Sequence, residues 1–313
     1  MKPIRQTWLW RAGKRFAADP ARRAIAKITC RGRVPLAWCD MPNWGDALNP
    51  VLVELVSGRK AQYLEELHHD RYLAIGSVLG TANEHAEVWG SGFIREHEPL
   101  LGRPRAVHAV RGPLSREALL RQDVECPEIY GDPALLLPRF FNPQVGKRYA
   151  VGIIPHYVDK GHAWVEQYRR DPQVLIIDIE SGITEFVRLV KSCEVILSSS
   201  LHGLICADAY GVPNAWIRLS DDVMGGDYKF RDYRLSIGAG EPGVIQIAED
   251  TQLANAAAKA ERRELRMDLR KLILACPFLS DTLRREIVNS NPAACGLPES
   301  FSSARLAEGN ANP

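Results

Sequence analysis

The stretch 195–213 constrains the fold more than any other part of the chain. Val195, Ile196 and Leu197 read as a buried strand that ends on three serines, Ser198, Ser199 and Ser200. The apolar residues that follow, Leu204, Ile205, Ala207 and Ala209, recur at helical rather than alternating spacing. Gly211 sits where a helix C-terminus takes a left-handed residue, and Pro213 stops the helix there. The unit is therefore a strand, a tight small-residue turn and a helix, with His202 in the first helical turn. The leading amides of such a helix lack intrahelical partners and carry partial positive charge, so they favour phosphate or carboxylate.

The same unit recurs along the chain. Strands are expected at 34–38, 72–75, 87–89 and 106–110, with a helix beginning near Asp46 and another over 114–121 that takes Pro113 in its first turn. After a proline-bearing linker at 138–147 come strand 150–154, helix 163–170, strand 174–179, helix 184–192, strand 195–197, helix 201–210 and strand 214–217. Strands alternating with helices imply parallel sheets covered on both faces. The expected architecture is α/β, with two Rossmann-like domains facing a cleft and a C-terminal helical extension. The expected limits are a basic, aromatic arm at 1–33, an N-terminal α/β domain at 34–143, a C-terminal α/β domain at 147–243, helices at 244–288 and a disordered tail at 289–313.

With 313 residues the chain has room for two cores. Its net charge of +2 is unevenly spread, because residues 1–33 hold ten Lys or Arg and one acid. Trp8, Leu9, Trp10 and Phe16 lie among those cations, a pattern that suits either a helix on an anionic membrane surface or a solvated basic tail. No recognised nucleic-acid module accompanies it, so no nucleic-acid partner is expected. Seven scattered cysteines include no CxxC pair, which points to reduced thiols in a cytoplasmic protein, peripheral on the inner membrane face if the arm docks. There is no apolar run of membrane-spanning length, and no Sec signal is expected.

The polar candidates lie beyond strand ends, where open α/β sheets bind ligands. Asn43 and Asp46 bracket Gly45, and Asp46 is either a plain N-cap or a carboxylate that holds or deprotonates a hydroxyl. Ser91 sits in a GSG strand end at 90–92 that permits close backbone approach. Arg111, at a strand end, suits a bidentate anion contact, whereas Arg116 reads as a surface ion pair. Asp132 fits an Asx-turn, and His156 fits either a sugar or anion ligand or an ordinary loop histidine. The segment 225–233 reads as a glycine-hinged, mobile flap in which Lys229 and Asp232 bind substrate or pair with each other.

Taken in order, the NxGD-like element at 43–46, GSG at 90–92, VRGPLSRE at 110–117, GDPALL at 131–136, IPHYVD at 154–159, SSLHG at 199–203 with GVP at 211–213, and KFRDY at 229–233 resemble the polysaccharide pyruvyl transferase family, most closely its exopolysaccharide ketal-pyruvate transferases. The resemblance implies a glycosyltransferase-B-like architecture. It also implies transfer of the pyruvate unit of phosphoenolpyruvate to hydroxyls of a glycan, as a ketal, on an oligosaccharide that is often polyprenyl-linked. Many members carry arginine directly before LHG, where this chain has Ser200, so Arg111, Lys229 or Arg95 must supply a cation.

That chemistry needs an acid at the donor methylene, cations for its charges and a base for the attacking hydroxyl. His202 is the expected acid, because imidazole titrates near neutrality. Arg111 with the amides of Gly203 and Leu204 is expected to hold the donor, and Asp46 or His156 to orient or deprotonate the acceptor. No metal or cofactor is expected, since no ligand cluster is evident. A nucleotide-sugar-dependent glycosyltransferase of the same architecture, or a non-catalytic glycan-binding protein, would also fit such a cleft.

Overall fold

The computed structural model describes residues 30–64, 67–240 and 243–290. The basic arm lies outside the described residues up to position 29, and the C-terminal tail from 291 onward. The elements, in order, are β1 (Val34–Ala37), α1 (Trp44–Ser57), β2 (Ala61–Tyr63), β3 (Arg71–Leu73), β4 (Ala86–Trp89), β5 (Ala106–Ala109) and α2 (Pro113–Leu120). Then follow β6 (Tyr149–Ile154), α3 (Ala163–Glu166), β7 (Val174–Ile176), α4 (Ile183–Lys191), β8 (Cys193–Ser198), α5 (Leu201–Ala209), β9 (Asn214–Arg218) and α6 (Tyr228–Ser236). The chain closes with β10 (Ile245–Gln246), α7 (Leu253–Ala257), α8 (Leu269–Leu274) and α9 (Asp281–Asn289).

Two five-stranded sheets form, ordered β2-β1-β3-β4-β5 and β10-β9-β8-β6-β7, and every strand pair within them is parallel. Counted from the first strand of each, both sheets have the order 2-1-3-4-5. Successive crossovers depart in opposite directions from the crevice between strands one and three, which is where such sheets bind ligands. In the first sheet that crevice is served by the segments after β1 and β3, in the second by those after β6 and β8.

Local chemistry explains the two helices that matter most. Asn43 caps α1 by accepting from the Asp46 amide, and Gly58 ends the helix with φ +70°. Pro50, inside α1, cannot donate to the Asp46 carbonyl, and the Asn49 side chain does so instead at 3.3 Å. Asn49 also exchanges hydrogen bonds with the backbone of Ile75, fixing α1 to the end of β3. In α5, Gly203 is required because a Cβ there would overlap the Ser198 hydroxyl and press on Ile154. Gly211 takes φ +65° after the helix, in the left-handed region expected of it.

One apolar cluster runs through both sheets' helices, taking in Leu48 and Leu52 of α1, Phe186 and Val187 of α4, and Leu204 of α5. Trp44 stacks on Phe186 at 5.3 Å, and its indole N–H donates to the Ile183 carbonyl at 3.2 Å. Burial on this scale makes the junction between the sheets a packed interface.

Several expectations needed correction. The helix expected over 163–170 stops at Glu166, and the C-terminal extension is broken into α7, an irregular stretch and α8. That extension also returns to the first sheet. The Trp89 indole donates to the Leu272 carbonyl at 2.8 Å, Phe278 packs edge-on against Tyr72 and Trp89, and the Ser280 amide donates to the Val56 carbonyl. The expected mobile flap is the helix α6, entered through a Gly225–Gly226 turn that sits against Ile94. Its charged residues are turned inward: Lys229, Asp232 and Arg234 are all buried.

Candidate active site

The N-termini of α1 and α5 meet where the two sheets join. The His202 ring lies over Gly45, where a Cβ would overlap it, so glycine is the residue that admits the imidazole. His202 Nδ1 lies 2.9 Å from Asn43 Oδ1. That oxygen already accepts from the Asp46 amide at 3.1 Å and cannot donate, so Nδ1 carries the proton. Asn43 Nδ2 in turn donates to Asp46 Oδ2. A line of hydrogen bonds thus runs from a buried carboxylate through an amide to the imidazole, and leaves His202 Nε2 with a free lone pair.

The electrostatics reverse one expectation. Burial, reinforced by the positive charge of Lys229 and Arg111, pushes the His202 pKa down to about 3, so the unliganded protein holds a neutral ring in place of an acid titrating near neutrality. It is Asp46 that titrates there: burial lifts it to about 7, against the stabilising hydrogen bond from Asn43.

His156, after β6, is also neutral, with burial and then Lys229 holding its pKa near 3. Its Nδ1 accepts a long 3.4 Å bond from the Val158 amide, which leaves the proton on Nε2. The two histidines therefore present opposite faces, a lone pair on His202 and an N–H on His156. Lys229 lies 8% exposed, and among the described residues its ammonium has no hydrogen bond or ion pair; the nitrogen lies 5.5 Å from the centroid of the Phe230 ring. Burial and then the charge of Arg111 lower its pKa to about 8, against the upward pull of Asp46. A buried cation without a counter-ion is costly unless an anion arrives to pair it. Close by, the N-cap Ser200 is buried and makes no side-chain cap bond, and the amides of Leu201, His202 and Gly203 have no acceptor among the described residues.

Other candidates are committed to the scaffold. Arg111 is fully buried: Nε donates to Asp232 Oδ2 at 3.0 Å, Nη1 to the Ser77 hydroxyl at 2.6 Å and Nη2 to the Phe93 carbonyl at 2.6 Å. The open fork expected for a ligand is thus filled by protein. Asp232 pairs with Arg111 and accepts from the amide and hydroxyl of Ser115, so its partner is not Lys229 and it faces no solvent. Ser91 donates to the Gly76 carbonyl at 2.9 Å and accepts from Val78, tying the ends of β3 and β4 together. The Leu204 amide is spent on the Ser200 carbonyl at 3.3 Å, which removes it from the donor-binding set. Arg116 makes a surface pair with Glu128, as its sequence setting suggested.

Two buried carboxylates stand out only in three dimensions. Asp132 does form the Asx-type turn, accepting from the Ala134 amide at 2.9 Å, but its Oδ2 has no partner and burial raises its pKa to about 6. Its charge also contributes to the raised value at Asp46. Asp159 anchors two hydroxyls, Ser199 at 2.8 Å and Ser220 at 2.5 Å, and Ser199 in turn accepts from the His156 amide at 2.8 Å. Nothing in the spacing of the sequence marks Asp159 for this task. Among the described residues no three of His, Cys, Asp and Glu gather as metal ligands do, and no helix is long and apolar enough to cross a membrane.

Comparison with known proteins fits this geometry. Residues 86–221 match the family model described as polysaccharide pyruvyl transferase, a span that holds Arg111, Asp132, His156 and His202 but neither Asp46 nor Lys229. An uncharacterised protein, L143, of Acanthamoeba polyphaga mimivirus is 30% identical over 201 residues, covering 61% of this chain and 69% of that protein. The succinoglycan biosynthesis protein ExoV of Rhizobium meliloti (strain 1021) is 30% identical over 208 residues, covering 63% of this chain and 62% of its own length. A solved structure of a functionally uncharacterised Klebsiella pneumoniae protein is a distant likeness, with 10% identity and a TM-score of 0.40 over 73% of this chain and 97% of that one. With motif order, matched segment and the succinoglycan relative in agreement, the chain belongs to the polysaccharide pyruvyl transferase family.

Proposed function

We propose that this protein transfers the pyruvate unit of phosphoenolpyruvate to two hydroxyls of a glycan, closing a cyclic ketal and releasing phosphate. The acceptor in this reading is an exopolysaccharide repeat unit carried on a polyprenyl lipid, and the Rhizobium relative, a succinoglycan biosynthesis protein, supports a polysaccharide acceptor. The observation that carries the proposal is the unpaired, buried Lys229 ammonium, set beside the open amides of α5 and flanked by Asp46 and His202. An anion site with a proton donor and a proton acceptor at its edge is what an enol phosphate requires.

In this reading the two sheets are the halves of a glycosyltransferase-B-like body, with the donor bound where they join, at the N-terminus of α5. Lys229, the His156 N–H and the amides of Leu201, His202 and Gly203 hold the donor's phosphate and carboxylate, and Lys229 supplies the cation missing at Ser200. Protonated Asp46 delivers its proton to the donor methylene, C3, which makes C2 electrophilic. The first hydroxyl attacks C2 while His202 Nε2 takes its proton. The second hydroxyl then attacks C2 and gives its proton to Asp46; the C2–O bond to phosphate breaks, and His202 hands its proton to the departing phosphate. Both groups end in the protonation state in which they began. The proposed roles differ from those expected of the sequence: the His202 tautomer supports reading it as the proton acceptor, and the raised pKa of Asp46 supports reading that carboxyl as the donor.

Phosphate release from phosphoenolpyruvate in the presence of glycan acceptor tests the proposal. Loss of His202 as base, in His202→Ala, is expected to slow turnover by about 10² to 10⁴. Unimpaired turnover in that variant would remove His202 from the chemistry. We further propose that residues 1–33 hold the protein on the anionic cytoplasmic face of the membrane that carries the lipid-linked acceptor. Retained sedimentation with anionic liposomes after their removal would reject that placement.

A further inference from the structure

A pocket of about 90 Å³ opens at the carboxyl end of β9, with Trp216, Arg218, Ser220, Asp221, Asp227 and Phe230 in its wall. Four tryptophans are buried among the described residues, and three of them spend the indole N–H on a backbone carbonyl: Trp44 on Ile183, Trp89 on Leu272 and Trp164 on Thr251. Trp216 does not. It is 3% exposed, lies flat on Phe230 at 4.3 Å and 9°, and its indole has no hydrogen-bond partner among the described residues. An indole N–H that stays unpartnered and is not sealed inside the protein, on a ring in a pocket wall, is a donor available to a ligand oxygen.

The charge of the wall says which ligand. Arg218 is already paired with Asp227, which leaves Asp221 without a neutralising cation in the wall. This acidic pocket repels a donor carrying phosphate and carboxylate, which the Lys229 pocket attracts. A neutral polyol suits it, because each sugar hydroxyl both donates to a carboxylate and accepts from an N–H. The two sites adjoin: Ser199 lines the pocket and also holds the His156 amide, and Phe230 of the wall follows Lys229 directly.

We propose that this pocket is the subsite for an uncharged sugar residue of the acceptor glycan, held by the Trp216 indole N–H and the Asp221 carboxylate. Its acidic wall excludes uronates and residues that already carry pyruvate. The inference rests on the transfer reading for the word acceptor, but the binding itself is measurable without transfer. Saturation-transfer NMR on the full chain, with methyl glucoside, galactoside and mannoside as probes, methyl glucuronide as the charged comparison and phosphoenolpyruvate as the anion, tests it. At least one neutral hexoside is expected to bind, and the glucuronide not. Trp216→Phe keeps the ring stack and removes one N–H, and is expected to weaken the hexoside about three- to tenfold while leaving phosphoenolpyruvate unaffected. Asp221→Asn, an exposed substitution, is expected to weaken the hexoside similarly and admit the glucuronide. Absence of hexoside binding, affinities unchanged in Asp221→Asn, or weakened phosphoenolpyruvate in Trp216→Phe would each overturn the assignment. Hexoside binding that follows this pattern in a protein that releases no phosphate would leave the subsite standing and remove the transfer reading.

Discussion

Replacing Asp46 by Asn should make the protein more stable and less active, and the stability gain should depend on pH in a defined way. An unfolded Asp ionises near 3.8, whereas buried Asp46 ionises near 7, so between those values the native state binds the extra proton. The contribution of this group to stability is therefore full below about 4, falls as pH rises and is lost above about 7. Each unit is worth about 1.4 kcal/mol, so the gap corresponds to a ceiling of about 4 kcal/mol. Asn keeps the shape and can still accept from Asn43 Nδ2, but has no proton to lose. His156 and His202 act in the opposite sense, because their depressed values make the unfolded state the better proton binder between about 3 and 6.5. The difference between wild type and Asp46→Asn cancels that background. Urea titrations of both proteins at pH 5 and pH 8 provide the measurement, with the variant gaining on wild type by up to about 3 kcal/mol, the share of the gap that lies between pH 5 and about 7. Phosphate release should meanwhile fall by about 10² to 10⁴, since an amide delivers no proton. An advantage that is the same at both pH values would refute the buried, raised carboxylate and with it the proposed proton donor.

Two further substitutions separate binding from scaffold. Lys229→Met removes a buried cation with no protein counter-ion, so phosphoenolpyruvate KM should rise by about tenfold or more while Tm holds or increases; a fall in Tm with donor KM unchanged would make Lys229 structural. Asp232→Ala strands the fully buried Arg111 guanidinium, and thermal or urea unfolding should register a loss of about 3 to 5 kcal/mol.

The strand–helix alternation made the architecture legible, because a buried parallel strand ending on small residues and a helix of 3.6 periodicity each leave their mark within a dozen residues. The short edge strands β2 and β10 left none, being three and two residues long and only partly buried. Segment 225–233 misled for a physical reason: its glycines and charges have the composition of a flap, yet it folds as a helix whose Asp232 is drawn inward by Arg111 and Ser115, more than a hundred residues away, with Lys229 buried on the same helix. For the same reason Arg111 looked like an open fork, since only the fold brings Asp232, Ser77 and Phe93 around it. Asn43, Asp46 and His202 were each visible at a strand end, but the tautomer on which their proposed roles rest depends on a 2.9 Å contact across 159 residues of sequence.

The return of the C-terminal helices to the first sheet bears on how the chain is made. Trp89 finds its hydrogen-bond acceptor at Leu272, and Val56 is met by Ser280, so the first sheet lacks part of its packing until residues 272–280 leave the ribosome. Vectorial folding, in which one half settles before the next emerges, is therefore interrupted here, and nascent chains stalled short of these helices should be the ones that chaperones hold.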